Sequence, residues 1–168
     1  MNLKKLGESG RVIGVDMTPE MITKSLYNAK RKGHKNVEFR LGELEHLPIA
    51  DNTIDVIISN CVINLVPNKA QAFREAFRVL KSGGRVAISD VVTSVELPES
   101  VKNDLKLFAG CLAGATLITE LDTILKDAGF IDVKITPKDE SKEFIKSWAP
   151  GAKLENFVTS ALIQAQKP

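Results

Sequence analysis

The residues of this chain with chemistry to offer are two thiols, a few acids and an amide. Cys61 and Cys111 are its only cysteines. Cys61 follows Asn60 at the end of the apolar run that starts at Ile54, and Cys111 stands between Gly110 and Leu112. Thiolates are soft donors that suit soft, thiophilic centres. Two of them, each on a Gly- or Asn-flanked segment, either converge on one soft ligand or serve as small buried hydrophobes. Asp16 closes the apolar run Val12–Asp16. An acid in that position can hold two ribose hydroxyls with its two oxygens, or it can cap the helix that follows. Glu43, in the run from Gly42 to Pro48, places an acid and backbone groups where an adenine edge could be read. An ordinary surface loop is the alternative there. Asp90 lies late in a further apolar run. His46 reads as a solvated loop histidine. No Ser/His/Asp set stands at a nucleophile elbow, and no CxxC or HExxH metal motif occurs.

These residues are positioned by alternating strands and helices. Val12–Asp16 is a strand. Thr18 as cap, Pro19 at the first helical position and Glu20 at the positive end of the dipole open a helix. Ile22, Leu26 and Ala29 share one face of it, and Gly33 stops it after three cations. Val37–Leu41 is a second strand and Gly42–Thr53 a loop. Ile54–Ser59 is a third strand, apolar on both faces as buried parallel strands are. Asn68–Leu80 is a helix with Ala72, Phe73, Ala76, Phe77 and Leu80 inward. Lys81 to Gly84 turns the chain into a strand over Arg85–Val92. Val101–Ala115 reads as a helix carrying Cys111. Thr119 caps a helix over Glu120–Ala128. Phe130–Thr136 and Phe157–Gln164 are closing strands, with a short helix over Glu140–Trp148 between them. The alternation predicts an α/β fold: a doubly wound, mostly parallel sheet with helices on both faces and an antiparallel edge at its end. In such sheets ligands bind outside the carboxyl ends of the strands, which is where Asp16, Glu43, Asn60 and Asp90 fall.

Composition sets bounds. The chain has 168 residues, 43% hydrophobic and 26% charged, enough for one domain with a core. Net charge is +2, from 23 basic against 21 acidic residues, so nothing points to a nucleic-acid partner. The basic run Lys30, Arg31, Lys32 reads as the end of a helix. No apolar stretch approaches the roughly 20 residues of a membrane span, and Met1–Gly10 lacks the apolar run of a secretory signal. The expectation is a cytoplasmic protein with reduced thiols.

Four runs carry a resemblance: Gly14 to Thr18, Gly42 to Pro48, Asp55 to Leu65, and Leu80 to Arg85. Together they resemble class I S-adenosylmethionine-dependent methyltransferases. The run from Ser59 to Leu65, with Gly110 to Ala115, resembles arsenite methyltransferases more narrowly. The resemblance implies S-adenosylmethionine as cofactor. It implies that Asp16 binds the ribose hydroxyls, Met17 packs on the adenine, and Glu43 and Leu44 contact it. It places Asn60 near the methionine part, and Cys61 and Cys111 on trivalent arsenic, with arsenite or methylarsenite as the small-molecule substrate.

The family's glycine-rich cofactor loop and its first strand are not matched, so the expectation is a single methyltransferase-like domain over 1–168, incomplete at its N-terminus, with cofactor binding and turnover impaired in this chain alone. The missing strand would stand between Val12–Asp16 and Ile54–Ser59, leaving two open edges. Direct pairing across the gap, a homodimer, or a complementing N-terminal segment would satisfy them. Two other functions stay open: a non-catalytic module that binds arsenite or a partner, and a methyltransferase acting on another small molecule of quinone or sterol type.

Overall fold

The computed structural model describes residues 10–96, 114–138, 141 and 157–168. They form two compact units, one ending at Ile49 and one starting at Ala50. The strand–helix–strand start of the first unit and the mixed sheet of the second are the expected α/β class.

In the first unit, β1 (Val12–Asp16), α1 (Pro19–Arg31) and β2 (Val37–Leu41) make one right-sized βαβ element. β1 and β2 pair in parallel from Val12 opposite Val37 to Asp16 opposite Leu41. The helix starts as its residues dictate, with Pro19 in the first turn beside Glu20 and with Lys30 and Arg31 in the last. One detail differs. Thr18 occupies the cap position, but its side chain makes no capping hydrogen bond. Its backbone N–H instead donates to Asp16 Oδ1 at 2.9 Å. The aspartate two residues upstream thus forms an Asx-type turn onto the cap residue's own amide. Gly33, at φ +69°, ends the helix as expected.

The second unit is a sheet in the order β3, β4, β7, β6, with β5 paired to β4 as well. Its strands are β3 (Ile54–Asn60), β4 (Leu80–Thr93), β5 (Thr116–Leu117), β6 (Ile131–Lys138) and β7 (Val158–Gln166). β3 lies parallel to β4, while β7 runs antiparallel to both β4 and β6, so the antiparallel strand sits inside the sheet and not at the edge where it was expected. Two helices, α2 (Lys69–Val79) and α3 (Ile118–Asp127), pack on one another and on this sheet. Asn68 caps α2 by accepting the Gln71 N–H at 3.0 Å. Val86, Ile88 and Val91 of β4, Ile163 of β7, Leu125 of α3, and Phe73 and Val79 of α2 form the buried core.

Three further expectations are corrected here. β3 is not a buried strand: none of its seven residues is buried and Ile58 is 65% exposed. Among the described residues it is the terminal strand of its sheet, hydrogen-bonded to β4 on one side. β4 does not begin at Arg85. Leu80 already pairs with Ile54, and the register then jumps so that Val56 faces Arg85. Lys81 to Gly84 is thus an insertion within the strand, with Gly83 at φ +78°. Thr119 does not cap α3; the helix starts at Ile118, straight from Leu117 of the short strand β5, leaving no room for a capping side chain. Of the three ways of meeting the open edges, direct pairing of β1 with β3 is not seen among the described residues, where each hydrogen-bonds into its own sheet. The helices expected over Val101–Ala115 and Glu140–Trp148 fall almost wholly outside the described residues. Gly114 and Ala115, at the end of the first, are not helical.

Candidate functional site

The carboxyl ends of β1 and β2 lie side by side, because parallel pairing puts Asp16 opposite Leu41. Gly42 N–H donates to the Asp16 carbonyl at 3.0 Å, so the chain leaving β2 starts beside the chain leaving β1. Asp16 therefore does what one reading allowed, holding the start of α1 through Oδ1. Among the described residues its Oδ2 accepts no hydrogen bond, which leaves one carboxylate oxygen for a hydroxyl. Met17, next in sequence, is 69% exposed, an apolar side chain with no core to fill. Glu43 and His46 form an isolated bridge that folds the loop back on itself, with Glu43 exposed and Leu44 half-buried. Gly42 is required by close approach: a Cβ there would stand 2.6 Å from Pro48 Cδ. This corner presents a carboxylate oxygen, an apolar side chain and a tight turn, which suits a ribose and a flat heterocycle.

The second unit carries the other residues. Cys61 N–H donates to Ser89 O at 2.9 Å, extending the pairing of β3 with β4 one residue past Asn60. The backbone then turns sharply. Cys61 adopts φ +52°, a left-handed conformation that costs a residue with a Cβ about 1 kcal/mol or more. Asn60 is exposed at the strand end and Cys61 is half-buried. A 3₁₀ turn over Ile63–Leu65 follows.

Asp90 holds that turn. It is 2% exposed, at the carboxyl end of the core-facing series Val86, Ile88 and Asp90 in β4. Its carboxylate accepts from Ile63 N–H at 2.9 Å, from Asn64 Nδ2 at 3.0 Å and from Val91 N–H at 2.8 Å. Asn64 Nδ2 also donates to Val91 O at 2.7 Å. Burial pushes the Asp90 carboxyl above the usual carboxylate range, against the pull of the amides at Val91 and Ile63. Burial likewise pushes the Cys61 thiol up, and the Asp90 charge adds to it. The Lys69 ammonium is held below the usual lysine range by burial, with Glu120 and Asp90 opposing.

Asp16, Met17, Glu43 and Leu44 thus lie together at one edge of the first unit, and Asn60 and Cys61 together at one strand end of the second. Cys111 lies outside the described residues. Asn64 was missed as a site residue. Its signal was a polar side chain inside the apolar run Val62 to Val66, which a buried position must satisfy. Asp90 was noted by its place in β4 but without a role. Among the described residues no three His, Cys, Asp or Glu side chains gather as a metal cluster.

Comparison with known proteins fits this geometry. A family described as methyltransferase domain matches residues 1–129. An arsenite methyltransferase of Halobacterium salinarum is 50% identical over 165 residues, covering 98% of this chain and 42% of that protein. The human arsenite methyltransferase is 43% identical over 134 residues, covering 74% of this chain and 36% of its own. The chain thus spans about two fifths of the length of the curated relatives it matches. In three dimensions it resembles the crystal structure of an arsenic (III) S-adenosylmethionine methyltransferase from Chlamydomonas reinhardtii. That match has a TM-score of 0.77 and 31% identity, and it covers 96% of this chain and 56% of that one.

Proposed function

This chain belongs to the methyltransferase-domain family, and from that premise we propose that it acts as an S-adenosylmethionine-dependent methyltransferase on trivalent arsenic held by Cys61 and Cys111. The observation that carries the reading is Cys61 itself: a cysteine, not a glycine or asparagine, occupies a left-handed turn at a strand end, anchored by Ser89. Backbone strain of that kind persists where a side chain has a task that a more comfortable residue would not perform. When bound, S-adenosylmethionine supplies a methyl group on a sulfonium centre, and the arsenic lone pair takes it as the carbon–sulfur bond breaks.

The chain's own residues bind and align. Asp16 accepts from the ribose hydroxyls, Met17, Glu43 and Leu44 contact the adenine, and Asn60 contacts the methionine part. Cys61 and Cys111 give arsenic two sulfur ligands, which fixes its lone pair in one direction. Most of the rate gain in such a displacement comes from holding the reacting atoms in line. The family match runs across the division at Ile49 and Ala50, which supports reading the chain as one methyltransferase domain. Arsenic chemistry on free thiols needs a reducing compartment, so we place the reaction in the cytoplasm. No helix among the described residues is long and apolar enough to cross a membrane. Among the described residues β1 and β3 each pair on one side only, and a second copy or a complementing segment would meet the other edges.

The test is arsenic speciation. The purified chain is incubated with arsenite, S-adenosylmethionine and a reduced thiol, and methylated arsenic is measured by chromatography with mass detection. Methylarsenic that disappears in Cys61→Ser supports the reading. Arsenite bound without turnover makes the chain a binding module. Transfer to a quinone-type acceptor, indifferent to Cys61→Ser, points to the other methyltransferase class.

A further inference from the structure

Arg40 holds two partners with one guanidinium, and both belong to the first unit. It stands two residues after Glu38 in β2, so the two side chains leave the same face of the strand. Arg40 Nε donates to Glu38 Oε1 at 2.7 Å, and Nη1 donates to the Pro48 carbonyl at 2.5 Å. Glu38 is held from its other side, where Arg11 Nη2 donates to Oε2 at 2.5 Å. Pro48 closes the loop that β2 runs into, and its ring packs at Gly42, where a Cβ would stand 2.6 Å from Cδ. Gly42 is tied in turn to the Asp16 carbonyl by its N–H at 3.0 Å. Beyond that base, the bridge between Glu43 and His46 folds the tip that carries Glu43 and Leu44, with His46 N–H on Glu43 O at 3.2 Å. Arg40 therefore joins the start of this loop to its far end.

The ion pair with Glu38 would contribute little alone, since both side chains are about a third exposed, at 31% and 33%. The second donor is what distinguishes Arg40. A rigid fork holds two acceptors in one geometry, where an ammonium is a single point charge on a flexible stem. We propose that Arg40 is a positioning residue for the nucleoside half of S-adenosylmethionine: its fork braces the loop from Gly42 to Pro48, so that Glu43 and Leu44 meet the adenine already in place. Its role is to hold the loop, not the ligand. The brace rests on the nucleoside reading of this corner and adds what keeps the corner in shape. A loop without it must be ordered at the moment of binding, which weakens the ligand by roughly three- to tenfold.

The probe is adenosine, titrated to millimolar concentration into the full chain labelled with nitrogen-15. Amide shifts give the affinity, and amide hydrogen exchange of the ligand-free protein gives the order of the loop. Arg40→Lys keeps the charge and loses the fork. It should bind adenosine roughly three- to tenfold more weakly. Its His46 and Ile49 amides, bonded to Glu43 O and Leu47 O, should exchange faster than in the wild type, with the amides of α1 and β4 unchanged. A general loss of structure would speed all of them. Arg40→Met, which keeps the apolar stem and loses every donor, is the second variant and should lose at least as much. Wild-type affinity in either variant overturns the brace. Weaker affinity with wild-type exchange at His46 and Ile49 overturns it too, because the loop would then be ordered without Arg40. Absence of adenosine binding by the wild type removes the nucleoside reading, and the brace with it. That failure shows in the wild-type arm alone and so is told apart from failure of the brace.

Discussion

Asn64→Ala strips the Cys61 turn of its side-chain anchor. The amide donates one hydrogen bond to the Asp90 carboxylate at 3.0 Å and one to Val91 O at 2.7 Å, in a position 3% exposed. A buried bond to a charged group contributes about 1.5–3 kcal/mol and a neutral one about 0.5–1.5 kcal/mol. Removing the donor leaves both acceptors in place, so the loss is expected near the sum, about 2–4 kcal/mol. For a chain of this size that lowers the melting temperature by roughly 5–15 °C. Urea unfolding followed by circular dichroism measures it. Asn64→Asp gives a second signature. It sets two carboxylates side by side, so it should be worse than Asn64→Ala near neutral pH and recover as one carboxyl is protonated in acid. A change within about 0.5 kcal/mol for Asn64→Ala, the range of an ordinary surface substitution, would refute the claim that Asp90 and Asn64 carry this turn.

Other outcomes follow from the same geometry. The Asp90 carboxyl is raised by burial, so the stability it contributes is full below its unfolded value, near 3.8, and is lost as pH rises through its folded value. Urea midpoints for Asp90→Asn should lack that fall, and an identical pH profile in the two proteins would count against a buried Asp90. Cys61, raised by burial and by Asp90, should be alkylated by iodoacetamide at neutral pH more slowly in folded Cys111→Ser than in its urea-unfolded form. The rate should climb with a midpoint above the ordinary thiol value of 9.0. Gly42→Ala drives a Cβ to 2.6 Å from Pro48 and should weaken S-adenosylmethionine binding by about tenfold, the effect of roughly 1.4 kcal/mol. Calorimetry measures it. Lys167 Nζ donates to Asn52 Oδ1, Phe77 O and Leu80 O, each at 2.8 Å, and lies 4.6 Å from the Phe77 ring centroid. Lys167→Met should therefore cost about 1–3 kcal/mol in urea unfolding.

The elements most legible from sequence were those whose signals are local. Proline at the head of α1, cations at its tail and Gly33 beyond it fixed that helix, and Asn68 fixed the start of α2. The face of α2 was readable from spacing, with Ala72, Phe73 and Ala76 buried, although Val79 proved more buried than Phe77. What spacing could not reveal depended on neighbours in space. The exposure of β3 follows from its terminal place in the sheet, and Ile54 to Ser59 reads equally apolar in either setting. The insertion at Lys81 to Gly84 is bridged by Lys167 and by the Lys81–Asp55 ion pair, partners far away in sequence. Around the candidate site, Asp16 and Cys61 were legible as residue types at strand ends. The left-handed turn at Cys61 and its support by Asp90 and Asn64 join positions far apart in sequence. No local pattern announces them.

Arsenic X-ray absorption on the reduced chain with one equivalent of arsenite, in a buffer free of other thiols, addresses the central claim that Cys61 and Cys111 share one arsenic centre. Two sulfur neighbours per arsenic in the wild type, falling to one in Cys61→Ser and in Cys111→Ser, is the predicted result. Oxygen-only coordination in the wild type, or a sulfur count unchanged in both variants, would contradict it.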